Sequence, residues 1–166
     1  MMTRKDTTLD ALADVRAACQ RARALAPAAY PPDLPAKSEL RGAPDWHAFE
    51  HAAWALGEEV RQALKRAPSL KRDRSLLDSI ADVVDTMNLR RGRQSFALAL
   101  GFKGAAALAP RLAAHLSDGD IAGQCLHSLI KMEASGFASE VARLSDHEQA
   151  WIRRLARRYL DEYAAA

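Results

Sequence analysis

The chain has 166 residues, enough for one domain that buries roughly 70% of its unfolded surface. It contains 35 Ala and 21 Leu but only 13 Val, Ile and Thr together, which favours helices and nearly excludes a fold built on a sheet. Lys and Arg outnumber Asp and Glu by 24 to 21, and this net charge of +3 is compatible with an acidic partner without requiring one.

Cysteine usage and the N-terminal sequence bear on the compartment. Cys19 and Cys125 alone cannot form a disulfide scaffold or a zinc site, so a reducing compartment is expected. The first residues, MMTRKDTTLDALADV, lack the apolar core of a signal peptide, and no run approaches the ~18 apolar residues of a membrane span. We therefore expect a cytoplasmic protein that makes no membrane contact.

The N-terminal part is predicted to contain one helix followed by a long loop. Apolar residues spaced for one helix face occur between about Asp6 and Leu25. Residues 26–45 then hold five of the seven prolines, which remove backbone donors and fix φ. We divide the chain into residues 1–44, an N-terminal helix with a Pro-rich loop, and residues 45–166, a helical-repeat domain, within one compact domain overall.

Two longer helices are predicted next. The first runs from Asp45, a plausible N-cap, to Arg66, because Pro68 blocks its continuation. The second begins at Lys71 or Asp73 and continues to Met87. Its apolar residues recur at helical spacing and form the clearest amphipathic pattern of the chain: Leu76, Leu77, Ile80, Val83, Val84 and Met87.

From residue 90 onward, glycines and short polar breaks divide the chain into shorter helices. The predicted ranges are 91–100, 103–116, 120–132, 137–144 and 147–163. Connections this short indicate neighbouring antiparallel helices.

Leu116-Ser117-Asp118 recurs as Leu144-Ser145-Asp146, at an offset of 28 residues. Each copy is predicted to end one helix and to cap the next with its Ser and Asp side chains. A period of about 20–50 residues with one helix pair per unit is the pattern of an α-solenoid. An irregular helical bundle with a chance recurrence is the alternative.

Residues 108–132 and 140–160 resemble short HEAT-like repeats of the phycobilisome-lyase type. The resemblance is carried by Pro110 in a first helix, by Asp118 and Asp146 after first helices, and by Ile152-Arg153 at the start of a second helix. Ala122 departs from the pattern, because an Arg is expected there. The resemblance implies antiparallel helix pairs stacked as a short α-solenoid, with the second helices lining one face.

If the second helices share a face, one set of polar and basic residues lies along it. Arg suits carboxylates and phosphates because it presents five donors in a rigid fork. We therefore predict a partner-binding surface formed by Arg90, Arg91, Gln94, Gln124, His127, Lys131, Arg154 and Arg158. Scattered solubilising charges are the alternative interpretation.

Residues 47–51 match the H-x-x-E-H pattern of inverted zinc peptidases. In that pattern His47 and His51 share one metal and Glu50 acts as the base. Such enzymes need a third ligand and a cleft, and they resemble large α/β proteins, so we favour a structural role and expect no metal.

Two other groups are interpreted as structural. Asp78, Asp82 and Asp85 lie along one helix face, and we expect them to be solvated and paired with Arg74 or Lys71. Cys125 and His127 are two residues apart and point away from each other on a helix, so they are not a nucleophile–base pair. Phosphate-loop, dinucleotide and serine-hydrolase motifs are absent from the sequence.

Three classes of function remain. The favoured one is a non-enzymatic module without a cofactor that binds an acidic protein, as a small bacterial inhibitor, immunity or adaptor protein. The second is a nucleic-acid-binding HEAT-like protein, against which the modest charge and few aromatic residues count. The third is a metal-dependent enzyme that uses His47, Glu50 and His51.

Overall fold

The structure, a computed structural model, describes residues 4–37 and 44–163. It contains helices α1 (Arg4–Ala24), α2 (Ala48–Arg66), α3 (Arg74–Val84), α4 (Gln94–Ala99), α5 (Ala109–Ala113), α6 (Ala122–Met132), α7 (Ala138–Ala142) and α8 (Ala150–Tyr163). Three 3₁₀ helices, Pro68–Arg72, Met87–Arg93 and Lys103–Leu108, lie between them. These ranges contain no strand, so the all-α prediction is confirmed.

The apolar stripe of α3 forms part of the core, as its spacing predicted. Leu76, Leu77, Ile80, Val83 and Val84 are all buried. The helix begins at Arg74 because the side chain of Asp73 accepts a hydrogen bond from the amide of Leu76 at 3.0 Å. It ends at Val84, so Met87 lies outside it and is exposed.

Several helix boundaries differ from the predicted ones. The N-cap of α2 is His47 rather than Asp45. The range 103–116 is divided into the 3₁₀ helix Lys103–Leu108 and α5, since Pro110 has no amide hydrogen and favours the first turn of a helix. The α-helix expected from residue 91 begins at Gln94, because the backbone of Arg90 interrupts the helical conformation.

Helix α2 lies at the centre of the N-terminal half. It packs against α1, α4 and the 3₁₀ helix Met87–Arg93, and α1 also packs against α3. The approach of α2 to α4 is close at Gly57, where an added Cβ would lie 2.0 Å from Ser95 Oγ. Val15, Ala18 and Cys19 of α1 are buried in the shared core, whereas Leu9 is exposed. The division at residue 44 stays a prediction.

The C-terminal half consists of short helices that pack on their neighbours in the chain. Helix α5 packs on α6, α7 packs on α8, and α6 contacts both α4 and α8. Leu116 and Leu144 of the recurring tripeptide are both buried. The two aspartates differ, since Asp118 pairs with Arg93 whereas Asp146 is exposed. In the described residues, no helix has the length and apolarity needed to cross a membrane.

Candidate functional site

The arginines of the 3₁₀ helix Met87–Arg93 are turned into the protein. Arg90, Arg91 and Arg93, here called the arginine cluster, are 4%, 7% and 0% exposed. A buried guanidinium is tolerated only when its donors are paired. We expected Arg90 and Arg91 on an outward ridge, and the structure places both in internal ion pairs instead.

Arg91 is paired with Glu50, a fully buried carboxylate in the first turn of α2. Glu50 Oε1 accepts hydrogen bonds from Arg91 Nε at 3.0 Å and from the Arg91 amide at 3.2 Å. Glu50 Oε2 accepts from the amide of His47 at 2.7 Å. The guanidinium also donates to the carbonyl oxygens of Pro44 and Asp45 and lies over the ring of Trp46. Glu50 therefore caps α2 and neutralises Arg91 at once.

Arg93 connects three segments of the chain. Its Nη2 donates to Asp118 Oδ2 at 2.7 Å, its Nε to the carbonyl of Arg90 at 2.8 Å, and its Nη1 to the carbonyl of Val84 at 3.2 Å. The end of α3, the 3₁₀ helix and the turn before α6 are thereby held together by one side chain.

Arg90 has an unusual backbone conformation. Its φ is 49° and its ψ is −127°, a combination that favours glycine. Holding another residue there costs roughly 1–3 kcal/mol, and such strain persists only where the surroundings impose it. The surroundings here are Asp120, whose Oδ2 lies 3.3 Å from Arg90 Nε, and Asp33, which pairs with Nη2.

Two grooves are lined in part by six of the eight residues that the sequence predicted to bind a partner. The tryptophan groove encloses about 350 Å³ and is lined, among others, by Trp46, Arg90, Arg91, Gln94, Gln124 and Trp151. The basic groove encloses about 210 Å³ and is lined by Arg61, Leu64, Lys65, Lys71, Leu98, Ala99, Gly101, Phe102, His127 and Lys131. Helix α6 connects the two grooves, because Gln124, His127 and Lys131 are spaced to share one helix face.

The remaining predicted residues lie on α8. Arg154 and Arg158 are exposed and four residues apart, so they share a face of that helix. Arg158 Nε donates to Glu162 Oε1 at 2.7 Å. The structure thus divides the predicted set: Arg90 and Arg91 are interior, Gln94, Gln124 and His127 are half-buried at the grooves, and Lys131, Arg154 and Arg158 are exposed.

Positive charge is concentrated in the basic groove. Within residues 9–37 and 44–163, Arg61 pairs with Glu58 at 2.6 Å, whereas Lys65, Lys71 and Lys131 have no carboxylate partner. Lys71 Nζ lies 5.1 Å from the centre of the Phe102 ring. Burial lowers the pKa of His127, and the charges of Lys131, Arg158 and Arg61 lower it further. These effects favour an anionic ligand.

The contribution of α2 to this groove is what sequence reasoning missed. Arg61 and Lys65 are four residues apart on one face of α2, and Lys71 follows on the 3₁₀ helix Pro68–Arg72. The excess of basic residues between 61 and 93 is visible in the sequence. The sequence does not show which of these basic residues are buried and which are accessible. Arg90, Arg91 and Arg93 turn inward, while Lys65 and Lys71 remain at the groove.

The H-x-x-E-H residues are engaged in other contacts. His47 Nε2 lies 2.8 Å from the carbonyl oxygen of Pro32, and His51 stacks on Trp46. Glu50 is committed to Arg91 and to the start of α2. In the part of the chain described with side chains, no three or more His, Cys, Asp or Glu residues cluster so as to hold a metal ion.

The aspartates of α3 pair with α5 rather than with the expected Arg74 or Lys71. Arg111 Nη2 donates to Asp82 at 2.8 Å and to Asp85 at 2.5 Å, and His115 Nε2 lies 2.8 Å from Asp85. Burial acts to raise the pKa of Asp85, but the hydrogen bonds with His115 and Arg111 lower it below its ordinary value. This cluster links α3 to the segment around α5.

Both cysteines are buried thiols. Burial raises the pKa of Cys19 to about 12, and it raises the pKa of Cys125 as well. A thiol that resists ionisation is a poor nucleophile. The thiols therefore serve the packing of α1 and α6.

Comparison of the chain with models of protein families, with curated proteins and with solved structures finds no significant match. Evidence for a function therefore comes from the geometry of the two grooves and the arginine cluster.

Proposed function

We propose that this protein is a non-enzymatic binding module that holds an acidic segment of a partner protein in the basic groove. The observation that carries the proposal is the set of lysines at the groove, Lys65, Lys71 and Lys131, which have no carboxylate partner among residues 9–37 and 44–163. A partner that supplies carboxylates gains charge-assisted hydrogen bonds there. A role as a small bacterial inhibitor, immunity or adaptor protein fits this activity.

The positive charge of such a groove attracts an acidic partner and orients it. Complementary charge accelerates encounter and orients the partner more than it raises affinity. Lys131 of α6 and Arg158 of α8 both act electrostatically on His127. Carboxylates that enter the groove meet cations from α2, from the 3₁₀ helix Pro68–Arg72 and from α6 together.

A protein partner is favoured over a nucleic acid by the composition of the surface. Sites for single-stranded nucleic acid combine cations with exposed aromatic rings on which bases stack. Among the described residues, Phe102 is the one Phe, Tyr or Trp that lines the basic groove, and Lys71 lies over its ring. Acidic clusters such as Asp78, Asp82 and Asp85 lie elsewhere on the same molecule and oppose a long polyanion.

We also propose that the C-terminal half has a repeat architecture. We interpret α5 with α6 and α7 with α8 as two HEAT-like helix pairs whose second helices, α6 and α8, present the binding residues. Support comes from the packing of α5 on α6, of α7 on α8 and of α6 on α8. In that arrangement Gln124, His127 and Lys131 of α6 lie beside Arg154 and Arg158 of α8.

Charge removal at the groove tests the proposal with a fluorescein-labelled polyglutamate peptide as the probe. Lys65→Gln combined with Lys131→Gln is expected to weaken binding at least about tenfold, because both substitutions remove cations that face the ligand. Fluorescence anisotropy at low and high salt measures the loss, which should shrink as salt screens the charges.

The matched control is Arg23→Gln combined with Arg74→Gln, which removes the same charge from exposed positions outside the groove. Equal weakening by both double variants would mean that net charge alone attracts the peptide. Tighter binding of duplex DNA than of polyglutamate, lost in the groove variant, would assign the groove to nucleic acid instead.

Binding of the same probe is expected to depend on pH through His127. The lowered pKa keeps this imidazole neutral at pH 7, and carboxylates in the groove offset the cations that lower it. Its pKa therefore rises on binding, so a proton is taken up and affinity increases as the pH falls through the range in which His127 titrates. His127→Gln should flatten the dependence between pH 7 and pH 5.5, whereas His147→Gln should leave it unchanged. An identical pH profile in both variants would exclude His127 from the site.

A further inference from the structure

A segment of the chain itself lies in a polar site beside the tryptophan groove. Residues 26–37, here called the proline segment, follow α1 without helix or strand. Proline fixes φ near the value of an extended polyproline helix, in which carbonyl oxygens remain free to accept hydrogen bonds. The residues that donate hydrogen bonds to these carbonyl oxygens define the site.

Side chains from two distant stretches of the chain form hydrogen bonds with the carbonyl oxygens of the proline segment. Asn88 Nδ2 donates to the carbonyl of Pro27 at 2.9 Å, and Arg90 Nη1 donates to that of Pro31 at 3.3 Å. His47 Nε2 lies 2.8 Å from the carbonyl of Pro32. Three backbone carbonyl oxygens of the segment are thus matched by three side-chain donors.

The side chains of the segment are recognised as well. Tyr30 donates its hydroxyl to Asp120 Oδ2 at 2.6 Å, and its ring lies 5.3 Å from the guanidinium carbon of Arg90. Asp33 pairs with Arg90. The side chain of Asp33 is 69% exposed while that of Arg90 is 5% exposed, so an exposed carboxylate of the segment pairs with a buried arginine.

Two properties distinguish this contact from ordinary loop packing. Tyr30 and Asp33 are exposed and are held by polar contacts rather than by the hydrophobic core, so their release sacrifices little buried apolar surface. Arg90, the residue with which Asp33 pairs, has the strained backbone conformation, and such strain tends to occur at binding sites.

We propose that His47, Asn88, Arg90 and Asp120 form a recognition site, here called the peptide site, for an extended proline-containing acidic peptide of a partner protein. The proline segment is its intramolecular competitor. The recognised pattern is an aromatic residue, two prolines and a carboxylate, as in Tyr30-Pro31-Pro32-Asp33. Aromatic contact and hydrogen bonds to an extended proline helix are an established mode of peptide recognition.

The adjoining tryptophan groove indicates where a longer partner peptide continues. Asp33 and Arg90 line this groove, and so do Trp151 and Gln149. A ligand anchored at Arg90 therefore has a further 350 Å³ of groove beside its carboxylate. This site is separate from the basic groove, so its test does not depend on the proposed function.

A labelled peptide of residues 27–34, Pro-Ala-Ala-Tyr-Pro-Pro-Asp-Leu, tests the proposal in trans. The parent protein should bind it weakly, because a tethered competitor acts at an effective concentration of about millimolar. Tyr30→Ala combined with Asp33→Ala removes both side-chain contacts of the tethered competitor and so weakens it, and anisotropy should then show at least about tenfold tighter binding of the peptide. The same peptide with Asn in place of its Asp should bind the variant poorly, because it cannot pair with Arg90.

Circular dichroism melts of the variants check that these exposed substitutions leave the fold intact, and Asp33→Asn alone serves as a milder second variant. Equal affinity of the peptide for parent and variants, or no binding to any of them, would overturn the proposal. Concentration-dependent dimerisation of the parent by exchange of proline segments would also overturn it, since the occupant would then be a second copy of this chain.

Discussion

Leu126→Asp is expected to unfold the protein at neutral pH. Leu126 is fully buried on α6, which contacts α4, α5 and α8. Loss of a buried leucine costs about 2–5 kcal/mol, and a buried unpaired carboxylate adds several more. The total matches the ~5–15 kcal/mol by which a domain is stable. Far-ultraviolet circular dichroism and urea denaturation measure the loss.

Two other substitutions provide comparisons for the loss of stability expected from Leu126→Asp. Leu126→Met conserves volume and should cost less than about 1.5 kcal/mol. Leu155→Asp should be milder than Leu126→Asp, because Leu155 is half-buried on α8 and its carboxylate can reach solvent. A melt of Leu126→Asp that matched the parent would contradict the placement of α6 at the centre of the C-terminal half.

Arg93→Ala should destabilise the protein by about 3–5 kcal/mol, although it removes a residue that usually lies on surfaces. Arg93 is fully buried, and its loss removes the cation paired with Asp118 and the hydrogen bonds to the carbonyls of Val84 and Arg90. An unpaired buried carboxylate costs more than the ion pair contributes, which is why breaking one side has a large effect. Urea denaturation followed by tryptophan fluorescence gives the difference in unfolding free energy.

Arg157→Ala is the matched control, since Arg157 is exposed on α8, and its effect should lie within about 0.5 kcal/mol. Arg93→Lys should lose a large part of the stability, because an ammonium lacks the planar fork that reaches three acceptors. If Arg93→Ala and Arg157→Ala gave the same denaturation midpoint, the role assigned to the buried ion pairs would be wrong.

Helical periodicity in the sequence was sufficient to predict most of the secondary structure. The stripe of α3 from Leu76 to Val84 is buried as predicted, and so are Leu126 and Leu129 of α6. Boundaries were less predictable, because they depend on contacts from elsewhere. Helix α2 begins at Ala48 since Glu50 caps it while pairing with Arg91, and α4 begins at Gln94 since Arg90 breaks the helix.

By itself, the sequence determined that the chain is all-α, because its abundance of Ala and Leu, its amphipathic spacing and its short polar breaks act locally. It did not determine which cations face solvent. Lys65 and Arg93 are alike in charge, yet one lies on a groove and the other is fully buried. Only the tertiary structure decided this, because an arginine is buried where a carboxylate distant in sequence, here Asp118 or Glu50, meets it in space.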